Sequence, residues 1–166
     1  MVKFLQFIVD GFAQYAEYKK VSLSFKYQSD SIPVMIDHEQ MRKVIHNLLI
    51  NSFKFTPELG YIAVRLKKTT SKMAVIEIED SGCGISEDAL ERIFNPFYQD
   101  PLSENSKRSQ GTGIGLALSK SIIELHTGTI TAANSKTGGA IFTIELPTDH
   151  DWHKDNPLVS VVEKTV

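Results

Sequence analysis

Two asparagines and a lysine, Asn47, Asn51 and Lys54, recur at i, i+4 and i+7 within one segment of the chain. At that spacing their side chains share one face of a helix. Amide oxygens are hard ligands of the kind Mg²⁺ accepts when phosphate oxygens and waters complete its octahedron. A lysine one turn further on meets a phosphate as a point charge. Asparagine is a mediocre helix former, because its amide competes for backbone hydrogen bonds. Two of them a turn apart therefore call for a reason, although alone the triplet fits a solvated polar flank better.

Two glycine motifs follow. Asp80 ends an alternating run and precedes Ser81-Gly82-Cys83-Gly84-Ile85. A carboxylate in that position can accept a hydrogen bond from an exocyclic amine such as that of adenine, and glycines let backbone approach a flat ring. An ordinary turn would use the same residues. Gly111-Thr112-Gly113-Ile114-Gly115-Leu116 then opens a helical run. Alternate glycines at a helix start expose N–H groups, which with the helix dipole favour an anion such as a triphosphate. Two other phosphate loops are excluded. Leu116 and Ala117 stand where a Walker A loop needs Gly and Lys, and Leu116 stands where G-x-G-x-x-G needs its last glycine. Between the motifs, Phe94-Asn95-Pro96-Phe97 places two aromatics around a proline, either as core residues or as the anchor of a lid hinge.

The elements that must hold these residues follow from periodicity. Apolar residues from Phe4 to Tyr15 predict a helix over 4–18, and Val21, Leu23, Phe25 and Tyr27 alternate as a strand. A short extended piece covers Pro33–Ile36. Asp37, with Gln40 three residues on, predicts a capping box opening a helix to about Lys54. In that helix Met41, Val44, Ile45, Leu48 and Ser52 share the core-facing stripe, with the Asn47–Asn51–Lys54 stripe at its flank. Runs at 61–67 and 73–80 predict a hairpin. A short helix covers Ser86–Phe94, residues 98–112 form a polar loop of functional length, a helix spans 113–126, and strands cover 129–133 and 140–146. Adjacent hairpins with helices on one face predict an α+β two-layer sandwich with a mixed, mostly antiparallel sheet. The domain is placed at 1–147 and a tail or linker at 148–166.

Composition bounds the rest. The 166 residues carry 18 basic and 20 acidic side chains, a net charge of -2, with 42% hydrophobic residues. That is a globular balance with no basic stripe for nucleic acid. The one cysteine, Cys83, excludes an internal disulfide and favours a reducing, cytoplasmic setting. No apolar stretch is long enough to span a membrane, so membrane attachment would belong to a larger parent protein.

In order and spacing the motifs resemble those of the sensor histidine-kinase catalytic domain, a branch of the superfamily that includes gyrase, Hsp90 and MutL. The segment His46–Pro57 resembles the N box, Asp80–Ile85 the G1 box, Phe94–Phe97 the F box and Gly111–Leu116 the G2 box. Gly138–Phe142 and Leu146-Pro147 resemble the family's last strands. The resemblance implies a Bergerat-type fold that binds ATP and Mg²⁺. Asn47 and Asn51 would ligate Mg²⁺, Lys54 would meet a phosphate, and Asn51 and Lys54 would serve catalysis. Phe55 would line the base pocket, Asp80 would hold the adenine amine, Gly82 and Gly84 would admit the base, and Ile85 would pack beside it. Gly111, Thr112, Gly113, Ile114, Gly115 and Leu116 would wrap the triphosphate beneath a lid at 98–110, where Arg108 is a further phosphate contact. Ser52, Ser81 and Gln110 depart from the family's usual Ala, Asn and Gly.

Hydrolytic relatives carry Glu where Asn47 stands, as a base for water. An amide takes no proton at neutral pH, so the resemblance implies phosphoryl transfer to a histidine. His38-Glu39 fits an acceptor motif only superficially, since no x-Pro follows. His46, His126, His150 and His153 have no such context and are expected to be structural or exposed. The acceptor would then lie on a separate dimerisation domain, with a response regulator downstream, and the isolated chain would be a monomer. A serine kinase of the anti-sigma-factor type and a non-catalytic nucleotide-binding module are the competing readings.

Overall fold

The sheet runs Ser22–Tyr27, Tyr61–Lys68, Met73–Asp80, Ala140–Pro147, Thr129–Asn134 in space, five strands with four pairings. In the computed structural model, residues 1–100, 112–136 and 138–148 are described. Helices α1 (Val2–Gly11) and α2 (Ala13–Lys19) precede strand β1 (Ser22–Tyr27). Helix α3 (His38–Phe55) leads to the hairpin of β2 (Tyr61–Lys68) and β3 (Met73–Asp80). Helix α4 (Glu87–Leu90), helix α5 (Gly115–Leu125), β4 (Thr129–Asn134) and β5 (Ala140–Pro147) complete the order. Strand β1 pairs parallel with β2, and the other pairs are antiparallel. The parallel pair needs a crossover, which α3 supplies, so the expected mixed α+β sandwich is observed.

The register sorts the strands cleanly. Ile62, Val64, Leu66, Ala74, Ile76, Ile78, Phe142, Ile144 and Leu146 are buried in one core with Leu5, Met41, Ile45, Leu48 and Ile123 of the helices. The predicted α3 stripe is buried as expected, and it is wider, since Leu49 and Phe53 join it.

Four local expectations are corrected. The first helix is broken at Phe12 (φ -93°, ψ -2°), whose N–H turns back to the Val9 carbonyl at 2.9 Å. The break swings the Phe12 ring into the core against His46 and Phe53, at centroid distances of 4.8 and 5.6 Å. Gly11, the poorest helix former short of proline, stands just before it. Residues 33–36 form no strand, because this stretch is crossover chain anchored by Ile32, which is 1% exposed. The predicted Ser86–Phe94 helix keeps one turn. Arg92 and Asn95 N–H then bond three residues back, to Ala89 and Arg92, as the chain tightens before Pro96. Helix α5 starts at Gly115 rather than 113, because Gly113 takes φ +67°, outside any right-handed helix.

The capping box is half formed. Asp37 Oδ1 accepts from Glu39 and Gln40 N–H at 2.8 and 3.0 Å. The returning Gln40 bond is missing, because Asp37 N–H donates instead to His126 Nε2 at 2.9 Å. His126, at the end of α5, is 4% exposed, and its Nδ1 lies 2.7 Å from the Ile122 carbonyl. With Nε2 accepting, the proton sits on Nδ1 and is donated to Ile122. A buried imidazole thus ties the start of α3 to the end of α5.

His126→Ala strands the Asp37 N–H. The variant is expected to lose at least about 1–3 kcal/mol of stability, read as a lower urea midpoint at unchanged slope. An unchanged midpoint would show that the tie contributes nothing.

Candidate functional site

A cavity of about 570 Å³ opens between α3, the end of β3 and the start of α5. Its walls take Asn47, Asn51, Lys54 and Phe55 from α3, where the helical period turns these residues away from the sheet. Asp80, Gly84 and Ile85 come from the end of β3 and the loop after it, and Thr112, Gly113, Gly115 and Leu116 from the approach to α5. Three segments distant in sequence therefore deliver the predicted residues to one space.

Asp80 lies deepest, 3% exposed. Its Oδ1 accepts from the N–H of Gly82 at 2.9 Å and of Ala140 at 3.3 Å. Burial raises its carboxyl above the ordinary aspartate value, against the lowering effect of those two N–H groups and of Ser52. The buried Ser52 hydroxyl lies near enough to act on that carboxyl, in a geometry that completes no hydrogen bond. The neighbouring Glu79 points to the opposite face, as strand alternation requires. There Ser135 Oγ donates to it at 2.5 Å, Arg65 pairs with it at 2.6 Å and Tyr61 donates at 3.1 Å. The Ser135 bond first, then Arg65 and Tyr61, hold its carboxyl below the ordinary value. One strand end thus carries two carboxylates with opposite tendencies, and only the one facing the cavity is biased toward keeping a proton.

The polar stripe of α3 is half-buried. Lys54 Nζ lies 5.0 Å from the centre of the Phe55 ring. Asn47 Nδ2 donates to Ser119 Oγ at 3.0 Å, and among the described residues nothing donates to its Oδ1. Helix α5 has Ile114 at its N-cap and no side-chain cap bond, which leaves first-turn N–H groups for an anion.

Not every predicted residue lines the cavity. Gly82 sits behind Asp80 as its hydrogen-bond donor. Ile114 carries a side chain 42% exposed and takes part through its position as the α5 cap. Arg108 and Gly111 lie outside the described residues, as does most of the predicted lid. Phe94 packs partly buried on the core, while Phe97 is exposed, with φ +64° and its N–H on the Gly113 carbonyl at 2.9 Å.

The sequence reading missed Ile50, Cys83, Ser86, Ile93, Ala140 and Phe142 among the lining residues, while Tyr98, Gln99 and Asp100, the described start of the predicted lid, also line the cavity. Strand alternation could have paired Ala140 with Phe142, but it does not say which face carries the helices. Asn134 was missed as well. Its amide takes the Ile85 N–H at 2.8 Å and gives to the Ile85 carbonyl at 2.7 Å, pinning the glycine loop to β4.

A two-layer sandwich with a deep carboxylate, an amide stripe and an uncapped helix start around one cavity defines a nucleotide-binding domain. Residues 36–150 match the histidine kinase-, DNA gyrase B- and HSP90-like ATPase family, and the chain belongs to that family. It is 37% identical over 162 residues to histidine kinase P4 of Formosa agariphila, covering 96% of this chain and 12% of that protein. It is 37% identical over 140 residues to the sensor histidine kinase TmoS of Ectopseudomonas mendocina, covering 84% and 14%. The solved catalytic domain of histidine kinase ThkA superposes with a TM-score of 0.78 at 26% identity, over 89% of this chain and 92% of that one. The chain is thus an ATP-binding domain of the sensor-kinase type, spanning a small fraction of the curated relatives' length.

Because burial raises the Asp80 carboxyl, this group favours the fold most at low pH. That contribution is lost as pH rises through the ordinary and then the raised value. Asp80→Asn removes this dependence. Between about pH 4 and about pH 8, urea titrations are expected to show the variant gaining stability relative to the parent chain. A constant difference would contradict the raised value.

Proposed function

We propose that this domain binds Mg-ATP and transfers the γ-phosphoryl group to a histidine on a separate dimerisation domain of its parent protein, within residues 1–147. The observation that carries the reading is the polarity of the cavity. A buried carboxylate that can accept from an adenine amine stands by Gly82 and Phe55, and the Asn47 amide stands against the uncapped start of α5.

In this reading Asp80 takes the exocyclic amine, with Phe55, Ile85 and Phe142 as apolar walls. The triphosphate runs past Lys54 toward the N–H groups of Gly115 and Leu116. Among the described residues no cluster of His, Cys, Asp or Glu offers a protein-only metal cage. The amide oxygens of Asn47 and Asn51 fit a Mg²⁺ shared with phosphate oxygens and waters. Such an ion would neutralise charge on the phosphates as they separate.

The acceptor imidazole supplies its own lone pair. The N–P bond forms as the bond from the γ phosphorus to the bridging oxygen breaks, and ADP leaves with that electron pair. No group need deprotonate a nucleophile, and an amide at Asn47 leaves water unactivated. Catalysis is then positioning and charge stabilisation. The described histidines are otherwise engaged: His38 stacks on Phe4 at 5.2 Å, His46 meets Phe12, and His126 ties α3 to α5. A response regulator would take the phosphoryl group next.

Incubating the chain with Mg-ATP and the parent's histidine-bearing domain is expected to place acid-labile phosphate on that histidine. Asn51→Ala is expected to slow the transfer by at least about 100-fold. Acid-stable phosphate on serine, or release of inorganic phosphate without transfer, would contradict the reading.

A further inference from the structure

Asn47 is held by a residue that lies outside the motifs and behind the cavity wall. Its Nδ2 donates to Ser119 Oγ at 3.0 Å. The same hydroxyl donates to the Gly115 carbonyl, one turn earlier on α5, at 2.9 Å. Ser119 is 2% exposed, so water does not compete for either bond. A hydroxyl carries one proton. With that proton committed to Gly115, only lone pairs of Oγ face Asn47. Lone pairs accept from the NH₂ end of an amide and repel its carbonyl end. The direction of the bond to Gly115 therefore decides which way round the Asn47 amide stands.

The other side of the amide is closed by Gly115. A Cβ at that position would stand 3.0 Å from Asn47 Cγ and 3.1 Å from Nδ2, and closer still to Oδ1. The amide is clamped between a hydroxyl and a bare Cα, with Oδ1 the atom left without a donor among the described residues.

We propose that Ser119 is a positioning residue for the metal-binding side of this site. Its hydroxyl fixes the Asn47 amide so that Oδ1, and not Nδ2, is offered to the cation that accompanies the triphosphate. The inference rests on the Mg-ATP reading above. The terminal torsion of an asparagine is broad and nearly two-fold. Without the hydroxyl the amide can present NH₂, a donor that repels a cation. A serine within a helix often bonds the carbonyl four residues back for no further purpose. What sets Ser119 apart is the second bond, across to another helix and onto an amide in the cavity wall.

The test is calorimetric titration with a non-hydrolysable ATP analogue, with and without Mg²⁺, and with adenosine, which reaches the Asp80 side alone. In the parent chain Mg²⁺ is expected to tighten binding of the analogue. Ser119→Ala is expected to lose about 10-fold or more of that tightening, with adenosine affinity unchanged. Ser119→Thr keeps a hydroxyl that can bond the same carbonyl and is expected to retain it. Full tightening in Ser119→Ala overturns the proposal. So does an equal loss for adenosine and Mg-analogue, which marks a purely structural role, or a loss in Ser119→Thr as large as in Ser119→Ala. A parent chain whose binding ignores Mg²⁺ overturns the Mg-ATP reading itself, and this proposal with it.

Discussion

Helix α3 has to satisfy two surfaces with one set of residues, and the rest of the molecule is arranged around that constraint. Its apolar stripe from Met41 to Phe53 is buried on the sheet. Its amide stripe, offset around the same cylinder, faces the cavity. A turn of 3.6 residues cannot shift one stripe without shifting the other. The two ends of the helix are accordingly fixed. Asp37 caps the first turn and gives its own N–H to His126, and Thr56 Oγ1 closes the last turn on the Ser52 carbonyl at 2.7 Å. With roll and height of the helix set, Asn47, Asn51 and Lys54 have one place to be.

The second helix of the site is held to the first by polar contacts rather than by apolar packing alone. Ser119 meets Asn47 near the start of α5, and His126 meets Asp37 at its end. Both contacts are buried or half-buried, where a hydrogen bond is strong and an unmade one is costly. They fix the angle at which the uncapped start of α5 faces the cavity. On the opposite wall, the Asn134 amide holds the glycine loop and the N–H groups of Gly82 and Ala140 hold Asp80. The walls are therefore anchored from outside the cavity.

Much of this was legible in the sequence because it is local. The α3 stripes, the hairpin of β2 and β3, and the placing of Asp80 at a strand end all follow from periodicity and turn residues. What was not legible depends on distant partners. Nothing near Gly11 announces that Phe12 will leave its helix for His46 and Phe53. Nothing near Gln40 announces that His126, 89 positions from Asp37, will take the bond a capping box would use. Ala140 and Phe142 alternate correctly, yet only the pairing of β3 with β5 brings them to the cavity. Ser119 reads as an ordinary small residue on a helix until Gly115 and Asn47 are seen around it. Motif resemblance located the cavity-lining residues better than it located the residues that orient them.

The proposed direction of a nucleotide along α3 sets where its cation must stand. It is tested most directly by substituting Mn²⁺, another ion that accepts an octahedral shell of oxygens, in a complex with a non-hydrolysable ATP analogue. Distance-dependent broadening of the chain's amide resonances would then locate the ion. Broadening is expected to be strongest at the side-chain amides of Asn47 and Asn51 and the Gly115 N–H, and weaker at the Gly82 and Ala140 N–H groups beside Asp80. Broadening centred on Gly82 and Ala140 would place the phosphates at the buried carboxylate and contradict that direction.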